Sequence, residues 1–143
     1  MIRSMKRFAT SIAPNPEAIC RLTDEVAGFL RGSGVDARAV HHVALVIEEI
    51  LTNVATHGRS PDAPATVTLE VRPDRVFGEI GDCGAPFDPR TAPVPDLGTP
   101  VEDRKIGGLG LHLVRQLTSV LEYRRDGKQN WTTFCIPREQ GRG

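Results

Sequence analysis

Between Thr66 and Val71 the chain alternates strictly: Val67, Leu69 and Val71 are apolar, whereas Thr66, Thr68 and Glu70 are not. Successive side chains of a strand point to opposite faces, so this segment reads as a strand with one face in a core and one toward water. Something must cover the apolar face, and two upstream segments have the helical period to do it. From Pro16 onward, Ile19, Leu22, Val26, Phe29 and Leu30 recur at intervals of three and four until Gly32-Ser33-Gly34 stops the pattern. Asp36 then suits the N-cap of a second helix, whose stripe is Val40, Val43, Ile47, Ile50, Leu51 and Val54. Gly58 follows in the position that ends a helix.

The remaining segments complete an α+β order. Arg7 to Ile12 reads as a short strand ended by Pro14-Asn15-Pro16, and Val76 to Gly81 pairs with the alternating strand across a Pro73-Asp74 turn. From Asp82 to about Gly107 neither period holds, and Pro86, Pro89, Pro93, Pro95 and Pro100 forbid helix or central strand. Such a length of irregular chain inside a small domain suits a lid or binding loop better than a connector. Gly107 to about Leu121 returns to helix, with Leu111, Val114, Leu117 and Leu121 inward. Glu122 to Arg125 and Trp131 to Ile136 form a hairpin around Asp126-Gly127. The expectation is a two-layer sandwich, a mixed, mainly antiparallel sheet with helices on one face.

At 143 residues the chain suits one domain with its own core. Lys plus Arg equals Asp plus Glu at 18 each, so bulk charge argues for neither a nucleic-acid nor a membrane partner. No apolar run approaches the roughly 20 residues that span a bilayer. The N-terminal residues lack the apolar stretch of a signal peptide. Cys20, Cys83 and Cys135 are scattered without metal-ligand spacing, which fits a reducing cytoplasm and no zinc site.

Three polar clusters interrupt this pattern. Glu49, Asn53 and His57 stand at i, i+4 and i+8, a stripe beside the apolar face of the second helix, at the rim of the core. Taken alone, the stripe is as compatible with a solvated helix flank as with a half-buried site. Gly81-Asp82-Cys83-Gly84-Ala85-Pro86-Phe87-Asp88 follows a strand. Its carboxylate could accept a hydrogen bond while Gly84 lets a flat ligand approach, yet a plain Asp-rich turn is the simpler account of this cluster by itself. Gly107-Gly108-Leu109-Gly110-Leu111 opens a helix, where exposed N–H groups suit a phosphate. The spacing is not that of a dinucleotide fold, and no parallel βαβ unit surrounds it.

In this order and spacing, the three clusters resemble the N, G1 and G2 boxes of the GHKL (Bergerat-fold) ATPase and kinase superfamily. The wording TNxxxHG, DxGxPFDP and GGLGLxL is similar to that of bacterial anti-sigma-factor serine kinases, the switch kinases of partner-switching systems. The likeness runs from about Arg7 to Pro137, and no box residue is missing. It implies that the whole chain is one ATP-binding kinase domain of the Bergerat fold, with residues 89–106 as the ATP lid. It implies that Glu49 is the general base and that Asn53 holds Mg²⁺ against the ATP phosphates. Glu48, about 100° round the helix, becomes an exposed neighbour. Asp82 would accept a hydrogen bond from the adenine amino group, and Gly84 would give the base room. Gly108 and Gly110 would lie over the phosphates, with Leu109 and Leu111 supplying backbone and packing. Thr52 could add a nucleotide contact, and His57 would orient Asn53 or cap the helix. Arg104 and Lys105 read as solvated lid charges, and His41, His42 and His112 as surface or interface residues.

The resemblance also carries partner expectations. These are a STAS-domain antagonist as phosphoacceptor, a sigma factor or other regulatory target to sequester, a homodimer, and a cytoplasmic setting. Two other functions fit the same boxes: a nucleotide-loaded switch that sequesters a partner with little phosphotransfer, and a histidine-kinase catalytic domain acting in trans. The latter usually follows a dimerisation helix pair, which is not found here. A DNA-dependent GHKL ATPase would need a transducer domain and a basic stripe.

Overall fold

The computed structural model describes residues 5–57, 63–91 and 108–140. Five strands form one sheet in the order β1-β2-β3-β5-β4: β1 (Lys6–Ile12), β2 (Ala65–Val71), β3 (Arg75–Asp82), β4 (Val120–Asp126) and β5 (Gln129–Pro137). Every pairing is antiparallel, so the sheet is not mixed. Helices α1 (Pro16–Gly32), α2 (Ala37–His57) and α3 (Gly108–Leu117) lie over one face. Ile19, Leu22, Val26 and Leu30 of α1 share a core with Val43, Ile47 and Leu51 of α2, Val114 of α3, and the inward residues of the sheet. The other face carries Thr66, Thr68, Glu79, Trp131 and Thr133, exposed or half-buried, as the alternation in β2 requires. Glu70 also belongs to that face. It is buried because Arg7 and Arg72 close over it at 3.2 and 2.9 Å.

The helix ends follow local chemistry. Asn15 caps α1 by accepting from the Ala18 N–H at 2.9 Å, and Pro16 occupies the first turn, where no N–H is missed. Asp36 accepts from the Ala39 N–H at 3.2 Å at the start of α2. Its other oxygen takes the Glu139 N–H at 2.9 Å, which ties the residue after β5 to the helix layer. Gly34, at φ +80°, turns the chain out of α1. Gly58, expected to end α2, lies outside the described residues.

The strands run a residue or two further at one or both ends than the sequence expectation, and the boundary between α3 and β4 moves with them. Leu121 does not extend α3; it faces the core from β4, because α3 ends at Leu117 and Ser119 already donates to the Cys135 carbonyl of the sheet at 2.9 Å. Thr118, Ser119 and Val120 are weaker helix formers than the Leu and Gln before them, so tertiary pairing wins there. The β4–β5 turn falls where Asp126-Gly127 predicts, with Asp126 opposite Gln129 and Gly127 at φ +60°.

The core is close-packed at one glycine in particular. Gly78 of β3 lies opposite Phe134 of β5, and a methyl group added there would overlap the buried Phe134 ring. Gly78→Ala is therefore expected to destabilise the fold by about 1–3 kcal/mol, as overpacking does, read as a lower denaturant midpoint at unchanged slope. A wild-type midpoint would show that the ring has room to move.

Candidate functional site

The site arises where the inward face of the sheet stops being apolar. Gly78, Phe134 and Leu121 stand opposite one another on β3, β5 and β4; the next inward row is Ile80, Thr132 and Tyr123. The row after that is Asp82, Asn130 and Arg125, all polar. The side-chain period of two that builds the core thus delivers a carboxylate, an amide and a guanidinium to its end.

These three groups form a bonded cluster. Asp82 Oδ1 accepts from the Gly84 N–H at 2.8 Å and from Asn130 Nδ2 at 3.0 Å. Asn130 Nδ2 also reaches the Ala85 carbonyl at 3.0 Å and that of Gly84 at 3.3 Å. Arg125 donates to the Gly84 carbonyl at 2.8 Å and to Asn130 Oδ1 at 3.0 Å. The Tyr123 hydroxyl donates to the same Oδ1. Among the described residues no donor reaches Asp82 Oδ2, and Asp82 itself is only 8% exposed.

Asp82 and Asn130 line a cavity with Gly84, Ala85, Phe87, Pro89 and Thr132 on one side and Ile50, Asn53, Val54 and Leu111 on the other. Sequence elements far apart, α2, the end of β3 and α3, therefore meet here. Asn53 is 8% exposed, and its Nδ2 donates to the Glu49 carbonyl one turn back at 2.7 Å. That bond fixes the amide orientation and leaves Oδ1 without a donor among the described residues. Leu111 packs as a buried wall at 3% exposure.

Glu49, one helical turn before Asn53, is half-buried, and its carboxylate lies against Gly110 of α3, the neighbour in sequence of the lining residue Leu111; a methyl group at Gly110 would overlap Oε2. Glu48 is exposed, as its helix phase requires. Burial pushes the Glu49 carboxyl above its ordinary range, and the neighbouring Glu48 charge adds to the effect. If Glu49 acts as a base it must be ionised, so activity rises with pH through this raised value. The acidic limb of kcat/KM is expected above the ordinary carboxylate range. Removing the repelling charge in Glu48→Gln should move that limb to lower pH; an unmoved limb would assign it to another group.

The first turn after the cavity is also fixed. Pro89–Thr91 forms a short 3₁₀ turn, in which Asp88 receives the Arg90 N–H at 2.9 Å and its guanidinium at 2.8 Å. The Arg90 guanidinium beside Asp88 holds that carboxyl below its ordinary range. Arg115 of α3 donates to the Arg90 carbonyl at 3.3 Å, joining this turn to the helix beyond the expected lid. The rest of that lid, with Arg104 and Lys105, lies outside the described residues.

Not every expected site residue arrives here. Thr52 is exposed and faces a separate groove beside Pro16, Ile19 and Cys20 of α1, so the structure does not bring it to the cavity. The phase explains this: Thr52 follows Leu51 round the helix, away from Asn53. His57 ends α2, and Gly108 and Leu109 open α3, but the side chains of His57 and Leu109 lie outside the described residues. His41 is exposed, and His42 and His112 are half-buried, all away from the lining. Among the described residues no group of three or more His, Cys, Asp or Glu side chains converges to hold a metal ion. No described helix is long and apolar enough to cross a membrane.

The cavity thus lies between the helices and the end of the antiparallel sheet, with Asp82 on the strand side and Asn53 on the helix side. The family model described as the histidine kinase-like ATPase domain matches residues 12–136, and the chain belongs to that family. Among curated relatives, the serine/threonine-protein kinase BtrW of Bordetella bronchiseptica is 37% identical over 99 residues, covering 67% of this chain and 70% of that one. The serine-protein kinase RsbW of Bacillus cereus is 30% identical over 129 residues, covering 86% and 79%. A structure of the RsbU and RsbW domains of Rv1364c from Mycobacterium tuberculosis superposes with a TM-score of 0.68 at 14% identity. That match covers 96% of this chain and 34% of the other, so this chain spans about a third of it. The catalytic domain of histidine kinase ThkA gives a TM-score of 0.52 at 13% identity, covering 97% and 100%. At such identities the structures testify to the shared fold alone.

Proposed function

We propose that this chain is an ATP-dependent protein serine kinase of a partner-switching system. The observation that carries the reading is that Asn53, Asp82, Gly84 and Leu111, from three separate segments, line one cavity, while the Glu49 carboxylate lies against Gly110, next to Leu111 in sequence. The kinase names of the BtrW and RsbW relatives support the reaction class.

In this reading Asp82 Oδ2 accepts from the adenine amino group while Gly84 leaves space for the ring. Residues Gly108, Leu109, Gly110 and Leu111 place the N-terminus of α3 at the phosphates, where N–H groups and the helix dipole favour anions. Asn53 Oδ1 fits Mg²⁺, a hard cation that takes few protein oxygens and fills its shell with phosphate and water. When bound, that ion spreads charge over the transferring phosphoryl group. His57 supports Asn53 from the end of α2, and Thr52 has no part in nucleotide contact. Glu49 takes the proton from a serine hydroxyl as its oxygen bonds to the γ-phosphorus, and the bond from that phosphorus to the β–γ bridging oxygen breaks. The serine belongs to a STAS-domain antagonist. A homodimer of this kinase sequesters a sigma factor or another regulatory target when the antagonist is phosphorylated.

The deciding assay incubates purified protein, ATP and Mg²⁺ with a serine-bearing STAS-domain protein. Acid-stable phosphoserine on that protein is expected. Acid-labile phosphate would instead place the chain with histidine phosphotransfer. Tight ATP binding and a stable partner complex without transfer would make it a sequestering switch.

A further inference from the structure

The amide of Asn130 has no role in the mechanism above, yet it is 3% exposed and among the most heavily bonded polar side chains described. Its two ends are chemically sorted. Tyr123 and Arg125 present donors to one side, whereas Asp82 Oδ1 and the carbonyls of Gly84 and Ala85 present acceptors to the other. Only one amide orientation satisfies both sides, since the swapped form would put an oxygen against a carboxylate. Asn130 is therefore locked, and its donor is aimed at Asp82.

The lock has a directional consequence. Asn130 Nδ2 and the Gly84 N–H both engage Asp82 Oδ1, which orients the carboxylate and, among the described residues, leaves Oδ2 as the acceptor without a donor. The same amide holds the carbonyls of Gly84, which Arg125 also engages, and of Ala85, two residues that line the cavity with Asp82. We infer that Asn130, held by Tyr123 and Arg125, is a positioning residue for base selection. It presents Asp82 Oδ2 to the exocyclic amine of a purine and thereby sets the preference for an aminopurine nucleotide. This rests on the nucleotide-binding reading of the cavity.

The test compares equilibrium binding of ATP with that of purine riboside triphosphate, which lacks the exocyclic amine, on the full chain. Wild type should prefer ATP. Asn130→Ala is expected to lower ATP affinity about tenfold, the effect of loosening a hydrogen bond to a charged group, and to change affinity for the amine-free nucleotide by less than about twofold. Asn130→Asp should lose the preference too, because it faces Asp82 with a second acceptor. In Asp82→Asn the preference disappears, and adding Asn130→Ala should then cost no more. Tyr123→Phe removes one donor from Asn130 and should shift the preference in the same direction by less; it decides the matter if Asn130→Ala fails to fold. Equal loss of both nucleotides would assign Asn130 a merely structural role, and an unchanged preference would overturn the inference outright. Wild type that binds no ATP would instead refute the nucleotide site itself, and the inference with it.

Discussion

In Glu49→Gln, phosphoryl transfer to the serine acceptor is expected to fall roughly a hundred- to ten-thousand-fold, the usual contribution of a positioned base. Nucleotide affinity should stay near wild type. Glutamine keeps the volume and helix propensity of glutamate, so the half-buried position beside Gly110 loses its basicity and little else. Nor does the substitution disturb Asn53, whose amide bonds to the backbone carbonyl of residue 49 and not to its side chain. Single-turnover transfer measured beside ADP binding separates the two effects. Transfer at the wild-type rate would remove Glu49 from the mechanism.

Gly110→Ala should give the opposite pairing of stability and activity. Alanine is the better helix former by about 1 kcal/mol, so the melting temperature should hold or rise. The new methyl group, however, occupies the space of Glu49 Oε2. What it meets is the far end of a flexible side chain, so the carboxylate swings aside at small cost to the fold. A misplacement of about 1 Å in a catalytic group can cost on the order of a hundredfold in rate, and that loss is expected in transfer. A stable, folded Gly110→Ala enzyme with wild-type transfer would mean that the base works from another rotamer. Together the two substitutions separate removal of the base from its displacement.

These expectations show how unevenly the site could be read before the fold was known. The helical phase of α2 placed Glu49 and Asn53 together at the rim of the core and put Glu48 outside, and the structure keeps that arrangement. Periodicity suffices there because a helix fixes the relative direction of its own side chains. The contact between Glu49 and Gly110 was not legible, since it depends on how two helices distant in sequence approach each other. Asn130 was missed for a different reason. Reading β5 as starting at Trp131 cut off the last inward residue, although the phase that buries Ile136 and Phe134 continues through Thr132 to Asn130. A polar residue in an inward register was the available signal, and a strand boundary set too late concealed it. Leu121 shows the converse: its inward direction was legible, but an apolar residue near a boundary satisfies a helix or a strand equally well.

The shared register of β3, β5 and β4 binds recognition to folding in one further way. Phe134 and Asn130 are four residues apart on one strand and point to the same side, so one register places both. A slip by one residue would turn the amide toward solvent and, in the same movement, pull the phenyl ring out of the core. No partly misaligned sheet could keep its hydrophobic seal while presenting the wrong groups to a ligand. Fidelity of the binding surface is thereby proofread by the packing of the interior.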